Sequence, residues 1–594
     1  MKTFWVLLPV LIANFVQVRA DFDSDSATSS SSTTTRKSPS EPTDHPAEDV
    51  VIPTRFGYVR GIRMPTRKGP FVDYFKGVPF AEKPQRLKKS VLVHRWNGVY
   101  DAKSYSKKCI ANVRPVNASE FSEDCLYLNI VRPSTADFRT KLPVVIFVHG
   151  GAFQEGFGND ANCEAFGENF VTQNMIVVSI QYRLAMLGFM SLGCSSASAP
   201  VPCNLGLWDM VTAFEFVNRT IADFGGDPDQ MTLMGHSAGA MAVSLHALSP
   251  ISGRFFQKFI QMSASSWCLS RFKTSTETAT LKILNELNCN TSSAETIFEC
   301  VNSTSLDAMY TAQIDTTLWP QFGDDLLPDV PEKLVNNTRN KPLLTGIMTL
   351  ESLYFTYLKS SPQIFPYIRR STVEDYINST IAVQYGIQSD SAFSTASQYY
   401  LDSNVSDTDY GYYMWQRTKL DSNVGFDIPM LREVRARMTV APDLFLYYFP
   451  YFNPAQFDAD FPVKATYHCQ EFPYIWGIYK DNYFDFDADD HLVSQFLIDA
   501  FVNFIKNGNP TSSNFTWPKI DSEITHTVIQ PVPTTGKHLF QDDYKFWDQM
   551  AQQFQLDIIT GLPVENQIET TTAGSSTVLF YFWIIIIIML LINA

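Results

Sequence analysis

With 594 residues, 45% of them hydrophobic and 14% aromatic, the chain carries ample apolar material for a large core. Its length is one at which big α/β enzymes run as one body with insertions. A formal net charge of −15 argues against nucleic acid as a partner, and the absence of a P-loop, dinucleotide fingerprint or metal-ligand spacing implies no cofactor and no metal.

Residues 1–20 read as a secretory signal. Lys2 gives the positive start, residues 4–18 the apolar stretch, and Val18-Arg19-Ala20 a small-residue cleavage site, so the mature chain is expected to begin at Asp21. Residues 21–50 are rich in Ser, Thr, Pro and acidic side chains. They cannot bury enough apolar surface to offset their ordering entropy and are expected to form a disordered leader. One folded domain is expected over 51–550, a stalk over 551–575 and a hydrophobic tail over 576–594.

From residue 51, RFGYVRGIRM and VDYFKGVPFAE alternate as strands between glycine turns, which suits an antiparallel entry to a sheet. Short apolar strands follow at 142–148 (LPVVIFV), 175–180, 231–234, 258–262, 343–347 and 444–449 (LFLYYF). Helical patterns lie between them. The clearest sets Leu207, Met210, Val211, Phe214, Val217 and Ile221 on one face. Buried strands alternating with helices predict an α/β fold, a mostly parallel central sheet with helices on both faces.

Two features point outside the cytoplasm. Eight N-x-S/T sequons occur, at Asn117, Asn218, Asn290, Asn302, Asn336, Asn378, Asn404 and Asn514. Nine cysteines follow the signal, which permits disulfides. Spacing alone leaves connectivity open; Cys109 with Cys125 and Cys289 with Cys300 are the favoured short-loop pairs, Cys194 with Cys203 a weaker third. An odd count leaves at least one cysteine free or paired between chains. After small residues at Gly574 and Ser575, residues 578–592 are an unbroken apolar run, followed only by Asn593 and Ala594. That tail reads as a GPI-attachment signal, with a short membrane helix as the alternative. Either anchor would hold the protein at the outer cell surface.

The chemistry centres on QMTLMGHSAGAMAVSLHAL at 230–248, an apolar strand, then Gly235-His236-Ser237-Ala238-Gly239, then an apolar helix. This is the setting of a G-x-S-x-G nucleophile elbow, with Ser237 on a sharp strand-to-helix turn. A serine hydroxyl needs a base to take its proton, and an imidazole base needs an acid to fix its tautomer. Among the downstream histidines, His491 follows an acidic stretch, His526 sits in a strand-like run and His538 in a polar turn. His468, soon after the 444–449 strand, is the best-placed base. Glu351 follows the strand LLTGIMT and is the candidate acid; Asp324, Asp325 and Asp329 compete from a loop with no strand before them. Gly151 and Ala152, in HGGAF after a buried strand, supply backbone N–H groups for an oxyanion together with Ala238.

EDCLYLN, HGGAF and GHSAG in this order, with FKGVPFAEKP, QYRLAMLGFMSLG, NLGLWDM and WPKIDSE, resemble the type-B carboxylesterase and cholinesterase family of α/β-hydrolases from about residue 51 to 547. The resemblance implies an eight-stranded-core α/β-hydrolase fold, with Ser237 as nucleophile, Glu351 as acid, His468 as base, and Gly151, Ala152 and Ala238 as oxyanion donors. It implies the pairs Cys109–Cys125 and Cys289–Cys300, and makes Ser263 a hydroxyl supporting the triad. The activity it implies is hydrolysis of a small or medium carboxylic ester through an acyl-enzyme. It also implies a rival, since the family contains adhesion proteins that keep the fold and lose members of the triad.

Three positions depart from the family pattern. His236 stands where Glu usually precedes the nucleophile, Ser352 stands where Gly usually follows the acid, and no tryptophan lies between Cys109 and Cys125. The first and third argue against an acetylcholinesterase, whose quaternary ammonium substrate needs an aromatic face. His236 is expected to make activity vary near neutral pH, where an unperturbed imidazole titrates.

Overall fold

Strands with apolar side chains on both faces must be covered on both faces. In the computed structural model, which describes residues 48–564 apart from 68, 113–118, 195–201, 359 and 481, this requirement builds the whole architecture. Twelve strands in chain order form the path of the main sheet: β1 (Glu48–Thr54), β2 (Gly57–Pro65), β3 (Phe71–Pro79), β4 (Tyr127–Pro133), β5 (Leu142–Val148), β6 (Ile176–Ile180), β7 (Gly226–His236), β8 (Lys258–Met262), β9 (Leu343–Met348), β10 (Leu444–Phe449), β11 (His526–Val528) and β12 (Thr534–Gly536). Their spatial order is β1-β2-β3-β4-β6-β5-β7-β8-β9-β10-β11-β12, and a thirteenth, Val99–Asp101, pairs with β2. The sheet is wider than the eight-stranded core implied above.

Along the path from β6 to β11 each strand is parallel to the next, while β6 meets β4 and β11 meets β12 in antiparallel pairs. The entry, β1 to β4, is antiparallel, as the alternating pattern predicts. Alternate residues of β5 feed two different cores: Val144, Ile146 and Val148 on one side, Val145 and Phe147 on the other. Helix α1 (Leu205–Thr220) buries Leu207, Met210, Val211, Phe214 and Val217, the predicted face. Helix α2 (Ala238–Leu248) is buried at every one of its residues, which fits its apolar sequence all round.

The chain leaves β5 toward β6 on one side and returns through α1 to β7 on the other. Strand order therefore reverses between β5 and β7, and open α/β sheets bind ligands at such a switch point, beyond the carboxyl ends of the strands.

Disulfides join Cys109 to Cys125, Cys194 to Cys203 and Cys289 to Cys300; among the described residues Cys163, Cys268 and Cys469 are free. Residues 551–564, expected to begin a stalk, belong to the folded body. Ala551, Phe554, Ile558 and Ile559 are buried, and a small antiparallel pair, Leu556–Asp557 with Leu562–Pro563, finishes this end of the body. Likewise β1 begins at Glu48, three residues before the expected start. The expected signal, nearly all of the expected leader, Asn117, the rest of the expected stalk and the hydrophobic run at 578–592 lie outside the described residues. No helix among the described residues is long and apolar enough to cross a membrane.

Candidate active site

Strand β7 runs straight into α2, and the turn between them holds Ser237 at φ 57, ψ −127. A non-glycine residue rarely adopts this geometry, and it persists only where the surroundings over-determine it. Here they do. Ser237 N–H donates to the Met262 carbonyl at 2.9 Å, and the Ser237 carbonyl accepts from Met241 N–H at 3.0 Å. Gly239 is obligatory for space, because a Cβ there would lie 2.1 Å from the Val148 carbonyl oxygen. The loop after β5 comes equally close: a Cβ on Gly150 would sit 2.9 Å from Ser237 Cβ and 2.7 Å from the His236 carbonyl. Gly151 and Ala152 both have positive φ, and the Gly151 carbonyl accepts from Gln154 and Glu155 N–H, tightening the turn. Ala238 opens α2, so its N–H has no intrahelical acceptor.

Glu351 lies beyond β9 and is fully buried. Its Oε1 accepts from Met348 N–H at 3.0 Å and its Oε2 meets His468 Nδ1 at 2.7 Å. The loops bearing the two residues are stitched together. Leu350 N–H donates to the Thr466 carbonyl, and His468 N–H to the Glu351 carbonyl. Thr349 N–H donates to Thr466 Oγ1, which in turn donates to the Phe449 carbonyl at the end of β10. His468 Nε2 is buried and has no hydrogen-bond partner among the described residues. Its ring centroid is 4.6 Å from that of His236, the neighbour of Ser237, and 5.1 Å from those of Phe355 and Phe426.

The competitors are occupied elsewhere. Asp324 takes Leu327 N–H, Asn204 and Trp208; Asp329 pairs with Lys333, and Asp325 is exposed. His526, which opens β11, contacts the carbonyl of Ile524 just before the strand, His538 lies near Glu523, and His491 is exposed on the helix Ala488–Asn507.

The supporting residues bring a correction and an addition. His236 does not titrate near neutral pH as expected. Burial, then the neighbouring His468 and Lys480, holds it well below the ordinary imidazole range. Ser263 hydrogen-bonds not to the candidate triad but to Glu471, at 3.5 Å, and Tyr447 donates to the same oxygen at 3.0 Å. Burial, with the nearby Glu351 carboxylate, pushes Glu471 up to about 8. The sequence reading missed Glu471, although its place three residues after His468 was visible. Ser352 is harmless in place of glycine because its φ is −76, which any residue adopts.

The profile of the carboxylesterase family matches residues 48–547. The chain belongs to the carboxylesterase family. Gut esterase 1 of Caenorhabditis briggsae is 30% identical over 539 residues, covering 86% of this esterase and 94% of that protein. Bile salt-activated lipase of Bos taurus is 28% identical, covering 78% and 80% of the two chains. A solved PNB esterase superposes with a TM-score of 0.66 at 23% identity, over 84% of this chain and 99% of that one, a likeness of fold. The esterase is thus a carboxylic-ester hydrolase on an α/β-hydrolase scaffold. The seven sequon asparagines within the described residues, all but Asn117, are exposed.

Proposed function

We propose that the esterase acts through a Ser237–His468–Glu351 triad at the outer face of the cell. The observation that carries this reading is the 2.7 Å contact of His468 Nδ1 with buried Glu351, which leaves His468 Nε2 bare beside the Ser237 turn. With Nδ1 donating its proton to the carboxylate, Nε2 keeps a lone pair for the serine proton. Ser237 then attacks the ester carbonyl, and Gly151, Ala152 and Ala238 N–H groups stabilise the oxyanion. His468 returns the proton to the leaving alcohol, and a water activated by the same nitrogen releases the acid. The bound partner is a small-molecule carboxylic ester. Three disulfides and exposed sequons support passage through the secretory pathway, and the apolar run at 578–592 supports anchorage at its end.

Fluorophosphonate labelling of the full-length chain beside Ser237→Ala tests the triad. Label on Ser237 that is lost in the variant is expected. A folded protein that takes no label sinks the reading and leaves the fold as a binding scaffold, whose partner would then be sought among proteins.

A further inference from the structure

His236, His468 and Cys469 each offer one ligand atom, and the three atoms lie within 4.8 Å of one another. The nitrogens Nε2 of both histidines are buried without a hydrogen-bond partner among the described residues. An orphaned buried polar group costs about 1–3 kcal/mol, so two in one place call for a ligand. His468 Nε2 has one, the serine proton, under the function proposed above. His236 Nε2 does not.

Cys469 adds a separate observation. It is a free cysteine, partly exposed, and its backbone sits at φ 73, a region that favours glycine and strains a side-chain-bearing residue. The chain thus carries a thiol beside His468 where glycine would fit without strain.

We propose that one Zn2+ ion binds between His236, His468 and Cys469 and reversibly blocks the esterase. Two neutral imidazoles and a thiolate are the donor set that zinc prefers, with a fourth position left for water. Both histidine nitrogens donate lone pairs. Burial holds the Cys469 thiol well above its ordinary range, so the ion itself displaces that proton to solvent as the Zn–S bond forms; nothing is oxidised. Zinc bonds of ~2.0–2.3 Å set ligand atoms roughly 3.3–3.7 Å apart, so the observed cluster closes on the ion by side-chain movements of about an ångström. Glu351 behind His468 Nδ1 orients that ring as carboxylates do in metal sites. Lys480, whose charge reaches His236 and Cys469, opposes the ion and keeps the site one for reversible binding. While zinc holds the Nε2 lone pair, His468 cannot take the serine proton. This inhibition rests on the triad reading; the binding does not.

The test uses full-length protein stripped by chelator, with Zn2+ added in a non-coordinating buffer. Hydrolysis of p-nitrophenyl acetate is expected to fall with free Zn2+ in the micromolar range or below and to recover with EDTA. Loss of an outer-shell partner alone weakens metal sites ~10–100-fold, so Cys469→Gly and His236→Gln should each raise the half-inhibiting concentration by at least ~10-fold. Cys469→Gly suits the left-handed backbone and guards against a folding failure. In parallel, Co2+ should give a thiolate charge-transfer band that Cys469→Gly abolishes. Inhibition equal in wild type and both variants, or no Zn2+ effect and no Co2+ band, overturns the proposal. A Co2+ band in a protein that hydrolyses no ester supports the metal site and overturns the triad instead.

Discussion

Replacing Glu351 by glutamine changes one oxygen to an NH2 and almost nothing in volume, yet the structure predicts a severe loss of activity. Each Glu351 oxygen has one obligation, Oε1 to Met348 N–H at 3.0 Å and Oε2 to His468 Nδ1 at 2.7 Å. Glutamine has a single carbonyl oxygen. If its NH2 faced Met348, two donors would oppose each other in a fully buried position, so the oxygen must stay with Met348 and the NH2 must point at His468. That forces Nδ1 to accept, moves the imidazole proton to Nε2, and removes the lone pair that in the proposed triad takes the proton of Ser237. The same tautomer reversal in a Ser-His-Asp hydrolase lowers kcat by ~10⁴, roughly 5 kcal/mol at 1.36 kcal/mol per tenfold. We expect a loss of ~10³–10⁴-fold in kcat for p-nitrophenyl acetate. Thermal unfolding should move little, because every hydrogen bond is still made. A folded Glu351→Gln protein that keeps more than about a tenth of wild-type kcat would refute the tautomer argument.

Three further outcomes are expected. Gly150→Ala pushes a Cβ to within 2.7 Å of the His236 carbonyl and 2.9 Å of Ser237 Cβ; a displacement of about 1 Å there should lower kcat ~10²-fold, and a variant within threefold of wild type, the threshold we set for an effect of about that size, would show that the loop yields freely. Arg437 is fully buried and donates to Glu433, which also takes hydrogen bonds from Ser265 and Ser244. Arg437→Met leaves that carboxylate uncompensated and should cost about 3–5 kcal/mol in urea unfolding, with Glu433→Gln recovering much of the loss. Burial pushes His246 down to about 3, against about 6.5 in an unfolded chain. Between those values only the unfolded state takes the proton, so stability falls as pH drops through 6.5, by about 2 kcal/mol at pH 5. His246→Gln should flatten that slope between pH 7 and pH 5; an unchanged slope would mean that other groups set it.

The strands were legible because they are buried on both faces. β5 and β10 occupy the very residues whose unbroken apolar runs mark them, and α1 buries the stripe its periodicity predicts. Ser237 was legible from local sequence alone, since an elbow is a short-range motif. Glu351 and His468 were legible only as loops after strands, because their contact is made by the pairing of β9 with β10. What escaped was whatever depends on depth or on contacts between distant segments. Nothing in the string GHSAG says that His236 is sealed against Phe472 and so titrates far from its usual range. Nothing in HCQE says that Glu471 meets Tyr447 and Ser263. Residues 551–564 look polar enough for a stalk, yet a few spaced apolar side chains suffice to dock them.

The stitching of the two loops through Thr466 also decides how the site comes apart. Amides of Thr349, Leu350 and His468 are all bonded across the same seam, so the loops cannot loosen one at a time. In hydrogen-exchange terms they form one cooperative unit: any fluctuation that frees the imidazole frees the carboxylate with it. Mild heating should then switch molecules off singly and completely, leaving the survivors with unaltered turnover.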